Sequence, residues 1–158
     1  MRFQSFDPVY DSNSKILILG SFPSVKSRET GFYYGNPLNR FWKLLAKIYG
    51  TEVPQDIESK KRFLLSNNIA LWDVIRECEI KNSSDSSIRN PEPNDVSGII
   101  SKCSIERIFT NGNLAHKLYE KHIESSADIA ETKLPSTSPA NAAWSFERLY
   151  GEWKIIKF

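Results

Sequence analysis

The stretch ILILGSFPSVKSRETGFYYGNPLNRFWKLL, residues 16–45, decides the fold. With Lys15 it opens as a short unbroken apolar run, KILIL, the pattern of a strand covered on both faces. Gly20 ends that run. Residues 21–38 are rich in Ser, Gly, Pro and aromatic side chains and predict an irregular loop. A loop of that length inside a compact domain is usually functional. A helix is expected from Asn39, because Phe41, Leu44, Leu45 and Ile48 recur at helical spacing. Trp42 and Tyr49 widen its apolar stripe, and Gly50 is placed to stop it. Strand, decorated loop and helix form the unit from which an open α/β sheet builds a ligand site at its strand ends.

The rest of the chain repeats that alternation. Residues 1–14 read as a lead-in, and 56–66 as a second, more polar helix resting on Ile57, Phe63 and Leu64. IALWDV (69–74) reads as a second buried strand and 79–92 as a polar loop. Asn94 or Asp95 can cap a helix over 95–103. A third strand over 105–110 stops at Asn111-Gly112, and the next helix puts Leu114, Ala115, Leu118 and Tyr119 on one face. A fourth strand over 129–134 runs into the loop Pro135-Ser136-Thr137-Ser138-Pro139-Ala140. The last helix, expected from near Asn141, carries Phe146, Leu149, Tyr150 and Trp153. Strands alternating with helices predict an α/β fold, a three-layer αβα sandwich around a four-stranded parallel sheet. One domain is expected over residues 1–158. Segments 20–38, 73–77, 110–112 and 135–141 follow strand ends and should line one cleft.

Bulk properties narrow the class. A chain of 158 residues, 40% hydrophobic and 25% charged, suits one globular domain. The net charge of +2 is uneven: residues 1–50 hold seven Lys/Arg against three Asp/Glu. A local basic face of that kind allows modest contact with a phosphate backbone, and a solvated surface explains it equally well. Two cysteines, Cys78 and Cys103, cannot supply a four-Cys metal site or a disulfide framework, so cytoplasmic localisation is the default. No signal pattern appears and no apolar run approaches the ~18 residues of a membrane span, so no membrane partner is expected.

The cleft residues limit the chemistry. Gly20-Ser21 follows a strand, yet neither a dinucleotide nor a Walker fingerprint continues it. Phe32-Tyr33-Tyr34 either folds over the core edge or offers a platform for a planar base. Asn39 can be a helix cap, or its carboxamide can face the cleft. Asp73 ends a buried strand and can be a general base or a carboxylate bonded to backbone. His116 and His122 read as surface or core-edge residues. No Ser-His-Asp constellation and no metal-ligand spacing appears, so a catalyst here works with amides, hydroxyls, a carboxylate and bound water. Neither a metal nor another cofactor is expected.

GSFPSVKSRETGFYYGNPLNRFW, followed in order by IALWDV, FTNG before NLA, and LPSTSPANA, closely resembles the hypoxanthine-DNA glycosylase family of the uracil-DNA glycosylase superfamily. The resemblance spans about residues 15–145 and implies the same fold and a single uracil-DNA glycosylase-like domain. It implies a monofunctional DNA N-glycosylase that flips out a deaminated base, most readily hypoxanthine from deoxyinosine, and hydrolyses its glycosidic bond. Alternatives are a mismatch-type uracil glycosylase, a non-catalytic DNA binder of the same fold, and an enzyme of free nucleosides. In the mismatch-specific uracil branch the first loop carries Gly-x-Asn-Pro-Gly, whose Asn aligns a water. Here the run is Gly20-Ser21-Phe22-Pro23-Ser24, so Phe22 stands in that place and speaks against strong uracil activity.

The resemblance makes Asn39, in the NRFW motif, the catalytic residue, with Asp73 in reserve for the water. Gly20, Ser21, Phe22, Tyr33, Tyr34 and Asn111 are expected around the base. Ser24, Lys26, Arg28, Arg40, Ser136, Thr137, Ser138 and Asn141 are the expected DNA contacts, the loop from Pro135 also filling the space the base leaves. The expected partner is DNA containing a deaminated base, bound by a monomer.

Overall fold

The computed structural model describes residues 2–80 and 88–158. Its central sheet is parallel throughout, with strands β2 (Ile16–Gly20), β3 (Ile69–Asp73), β6 (Arg107–Asn111) and β7 (Glu131–Leu134) in the order β3-β2-β6-β7. All five residues of β2 are buried because the strand is central and covered on both faces. Ile16 and Ile18 point into one apolar cluster, Leu17 and Leu19 into the other. The first cluster is closed by helices α2 (Phe41–Tyr49), α3 (Ile57–Ser66) and α6 (Phe146–Trp153), through Phe41, Leu44, Leu45, Leu64, Leu149 and Trp153. The second is closed by α4 (Val96–Lys102) and α5 (Asn113–His122), through Val96 and Tyr119. Each fully buried Leu of α2 stabilises the sandwich by about 1.5–3 kcal/mol. The expected αβα architecture is therefore present.

Four segments differ from the sequence reading. The lead-in and the 79–92 loop contain strands: β1 (Arg2–Gln4), β4 (Ile75–Ile80) and β5 (Ile88–Pro93) form a small antiparallel sheet in the order β1-β4-β5. Residues 81–87 of that expected loop lie outside the described residues. These strands are hard to read because their outward side chains are charged, and Arg2 and Arg76 pair with Glu77 and Glu92. Cys78, completely buried, anchors the sheet to the second cluster. The 21–38 loop contains a short helix, α1 (Val25–Thr30), started by Ser24 and stopped by Gly31 at φ 81°. The last helix begins at Phe146 rather than near Asn141, because Ser145 caps it by accepting from Arg148 N at 3.2 Å.

Candidate active site

A cleft opens at the carboxyl ends of β2, β3, β6 and β7, where an open α/β sheet places its ligands. It is lined by Gly20 to Ser24, Ser27, Tyr33, Tyr34, Asn39, Asp73, Asn111 and Ser136 to Ser138. All four segments expected at the strand ends thus contribute to one cavity.

Its floor is Gly20. A Cβ there would fall 2.5 Å from Asp73 Oδ1 and 3.0 Å from the Tyr34 hydroxyl. Only a residue without a side chain lets those two polar groups converge. β2 and β3 are in register with Gly20 opposite Asp73, which brings the carboxylate there. The Asp73 main chain is fixed by Asn94, whose Nδ2 donates to the Asp73 carbonyl at 2.7 Å. Asn94 is thus a buried clamp, and Asp95 is the cap of α4.

Tyr34 reaches the floor through an unusual backbone. Its φ is +53°, a genuine outlier for a bulky side chain and one that clusters at functional sites. Its ring stacks on Phe41 with centroids 4.0 Å apart and planes at 21°. Burial, then the negative charge of Asp73, push the Tyr34 phenol above its ordinary pKa, while the Asn111 side chain pulls it back. Tyr34 is therefore a neutral hydroxyl at physiological pH. Tyr33 is raised for the same reasons, burial first. Its hydroxyl donates to the Asp7 carbonyl at 2.7 Å, and its ring is wedged edge-on against Phe6 and Phe32.

Asn39 stands on the cleft wall just before α2. The N-cap position of α2 belongs to Arg40, which makes no side-chain cap bond; Asn39 precedes it, its Oδ1 accepting from Phe41 N at 2.9 Å in a local turn while its carboxamide lines the cleft. One lone pair of Oδ1 is used there; the oxygen has a second, and Nδ2 has two donors.

The second loop is locked onto the sheet. Asn111 and Thr137 exchange two hydrogen bonds, Asn111 Nδ2 to Thr137 Oγ1 and Thr137 N to Asn111 Oδ1, each 3.0 Å. Ser136 Oγ accepts from Ser138 N, Ser138 Oγ accepts from Ala140 N, and Asn141 Nδ2 donates to Ser136 O. Arg40 fastens the loop from the other side. Its main-chain N–H donates to Thr137 O at 3.1 Å, and its guanidinium donates to Ser138 O, Asn141 O and Trp144 O. Thr137→Val should cost about 1–3 kcal/mol, since it leaves the Asn111 amide without its acceptor. A urea denaturation curve checks this, and the midpoint should fall with an unchanged slope.

The structure brings together the expected residues around Gly20 but redistributes the expected DNA contacts. Arg40 and Thr137 face protein, and Ser24 is engaged in capping α1 by accepting from Ser27 N at 3.1 Å. Lys26 is exposed beside Glu29 at 3.6 Å, and the Arg28 guanidinium lies 4.3 Å over the Phe3 ring. Ser27 was not legible as a cleft residue; it is buried and its Oγ accepts from Gly35 N at 3.0 Å, bracing the loop before Asn39. Its only signal in the sequence is its place three residues after a capping Ser. Among the described residues, no group of three or more His, Cys, Asp or Glu side chains gathers to hold a metal ion, and no helix is long and apolar enough to cross a membrane.

Comparison with known proteins places this geometry. The family model of the uracil DNA glycosylase superfamily matches residues 8–156. A hypoxanthine DNA glycosylase of Methanosarcina acetivorans is 40% identical over 157 residues, 97% of this chain and 96% of the relative. A second hypoxanthine DNA glycosylase, from Methanosarcina barkeri, is 41% identical over 99 residues, 61% of this chain and 62% of its own. The solution NMR structure of a candidate uracil DNA glycosylase from Methanosarcina acetivorans superposes with a TM-score of 0.84 at 36% identity, covering 99% of this chain and 96% of that one. With a family model spanning nearly its whole length and a relative matched end to end, the chain belongs to the uracil DNA glycosylase superfamily.

Proposed function

We propose that this protein is a monofunctional DNA glycosylase that removes hypoxanthine from deoxyinosine, acting as a monomer. The observation that carries the reading is the convergence of the Asp73 carboxylate and the Tyr34 hydroxyl over Gly20, with the Asn39 carboxamide on the same cleft wall. The names of the two Methanosarcina relatives support the choice of base.

The target atom, C1′ of the sugar, is inaccessible in a stacked duplex. The nucleotide must swing out, which costs a few kcal/mol and less for a weak pair. In the cleft, Asn39 can both donate to and accept from the amide edge of hypoxanthine. As the glycosidic bond breaks, its electron pair moves onto the base and the sugar gains cation character. A preorganised donor that strengthens on the departing base lowers the barrier by roughly 2.7–4 kcal/mol. The Asp73 carboxylate, close to the floor, stabilises the sugar cation and accepts the proton of the water that adds to C1′. The Tyr34 hydroxyl, kept neutral, donates into the same space. Exposed Lys26 and, on the rigid second loop, Ser136 and Ser138 are the candidates to meet phosphate.

The test is an oligonucleotide with one deoxyinosine, incubated with protein and then heated in alkali. Strand breakage at the lesion is expected; none above the blank, in duplex and single strand alike, would defeat the reading. A parallel deoxyuridine substrate should be cut more slowly, because Phe22 lines the cleft where the uracil branch carries its Asn. Salt-dependent binding without base release would favour a non-catalytic DNA binder, and faster turnover of free deoxyinosine a nucleoside enzyme.

A further inference from the structure

Behind the cleft wall lies a second recess of about 240 Å³, whose lining includes Tyr34, Asn39, Trp42, Lys43, Pro54 and Lys60. Tyr34 and Asn39 line the cleft as well, so one wall separates the two cavities. That wall is stiff. Asn36 Oδ1 accepts from Leu38 N and Asn36 O accepts from Asn39 N, both at 2.9 Å. Pro37 fixes one further backbone angle. The recess is lined by two cations and no carboxylate. Lys43 is exposed on α2, and Lys60 is half-buried on α3. The Lys60 ammonium lies 5.2 Å over the Trp42 ring, and among the described residues neither lysine forms an ion pair or a hydrogen bond. Burial pushes Lys60 below its ordinary pKa, and Asp56 pulls it part of the way back. The Asp56 carboxylate itself is engaged at the start of α3, where Oδ1 accepts from Ser59 N at 2.7 Å, and it lines the neighbouring recess. A partly desolvated charge is unfavourable without a counter-charge, and an indole face offsets that only in part. Arg40 and Lys133, by contrast, already meet protein oxygens, Lys133 donating to Asn113 Oδ1 at 2.8 Å.

We propose that Lys43 and Lys60 form a phosphate subsite for the damaged strand, taking a backbone phosphate next to the nucleotide held in the cleft; this rests on the glycosylase reading above. A strand that gives one nucleotide to the cleft runs on across its walls, and the neighbouring phosphates come to lie just outside them. The wall that carries Asn39 is the one backed by cations without protein acceptors. A phosphate supplies the missing counter-charge, with Lys60 as the deeper donor and Lys43 as the outer one. Lysine suits this role because its ammonium is a compact charge with three rotatable donors. Buried Trp42 beneath Lys60 keeps water from one side of the pair, which weakens screening. Because Asn39 stands in the shared wall, a phosphate held behind it fixes where the sugar of the extruded nucleotide lies relative to the carboxamide.

The test measures binding of a duplex with one 2′-fluoro-deoxyinosine, whose electron-poor sugar resists cleavage. Lys43→Gln combined with Lys60→Met, which keeps an apolar stem over Trp42, should weaken binding by about tenfold and flatten the salt dependence of log Kd by about one contact. Changing both lysines to arginine should keep the wild-type affinity, and thermal melting checks that each variant folds. Replacing the phosphates beside the lesion one at a time by neutral methylphosphonate locates the contact. One position should weaken the wild type by about the same tenfold and leave the double variant unaffected. Equal affinity of variant and wild type, or the same methylphosphonate losses in both, overturns the proposal. So does a wild type whose melting temperature inorganic phosphate raises through these lysines while DNA binding ignores them, since the recess then serves a free phosphate ligand. If the wild type shows the position-specific loss yet releases no base from ordinary deoxyinosine, the glycosylase reading fails and the subsite stands.

Discussion

Replacing Asn39 by alanine is expected to slow base release by about 10²–10³-fold, the usual cost of removing one preorganised donor. The same change removes the acceptor of Phe41 N and should cost roughly 1 kcal/mol of stability. The two effects can be separated. Asn39→Asp keeps an oxygen for Phe41 N and adds a negative charge at the start of a helix, where it is favourable. It should therefore fold with at least the stability of the alanine variant. Its side chain has lost Nδ2 and would meet the departing, negatively charged base with a carboxylate. Activity should stay as low as in Asn39→Ala. Thermal melting and single-turnover rates on one deoxyinosine duplex check both halves. If the Asp variant were fully active, the role of Asn39 would be reduced to holding the turn before α2.

The second large effect is expected at Gly20, although it offers no chemical group. Its φ is unremarkable, so alanine meets no backbone strain; the difficulty is the added carbon itself. A methyl group 2.5 Å from Asp73 Oδ1 cannot be accommodated, and Tyr34 OH at 3.0 Å closes the other side. Both groups must move away from the cleft floor. Tyr34 has little room, because its ring lies against Phe41 and its backbone is already in the left-handed region. A displacement near 1 Å at a reacting centre can cost about 10²-fold in rate. Gly20→Ala should thus lower the rate by about that factor and destabilise the fold by roughly 1–3 kcal/mol. The prediction fails if the variant turns over deoxyinosine within a few fold of the wild type.

Much of this arrangement could be read before any coordinates. KILIL and IALWDV are strong signals because buried parallel strands are continuously apolar, the strand over 105–110 is marked by the Asn111-Gly112 stop, and the cleft then follows from the rule that ligands sit at strand ends. What escaped was decided by long-range contacts. The strands on either side of residues 81–87 are polar in composition, and β4 is held by long-range contacts, its Cys78 sinking into the second cluster and its edge pairing with β1 at the start of the chain. Arg40 looked like a phosphate ligand because arginine in a basic loop usually is. Its guanidinium instead meets carbonyls about a hundred residues later in the chain, a spacing that leaves no local pattern. Tyr33 and Tyr34 are neighbours in a run of aromatics, yet one turns inward to Asp7 and the other to Asp73. Only the positive φ at Tyr34 separates them, and a sequence does not show it.

The clasp between Arg40 and the second loop also bears on which lesions are processed fastest. The two walls of the cleft are joined through protein hydrogen bonds, so they do not need to close around a ligand. The conformational work then falls on the nucleic acid. For an enzyme acting as proposed, rigid walls mean that a nucleotide already leaning out of the duplex is captured more readily than a well-stacked one, and that those whose edge complements the wall are retained. Discrimination begins with the frequency of spontaneous opening, before any recognition of the base, and turnover should track the thermodynamic fragility of the surrounding pair as closely as the identity of the damage.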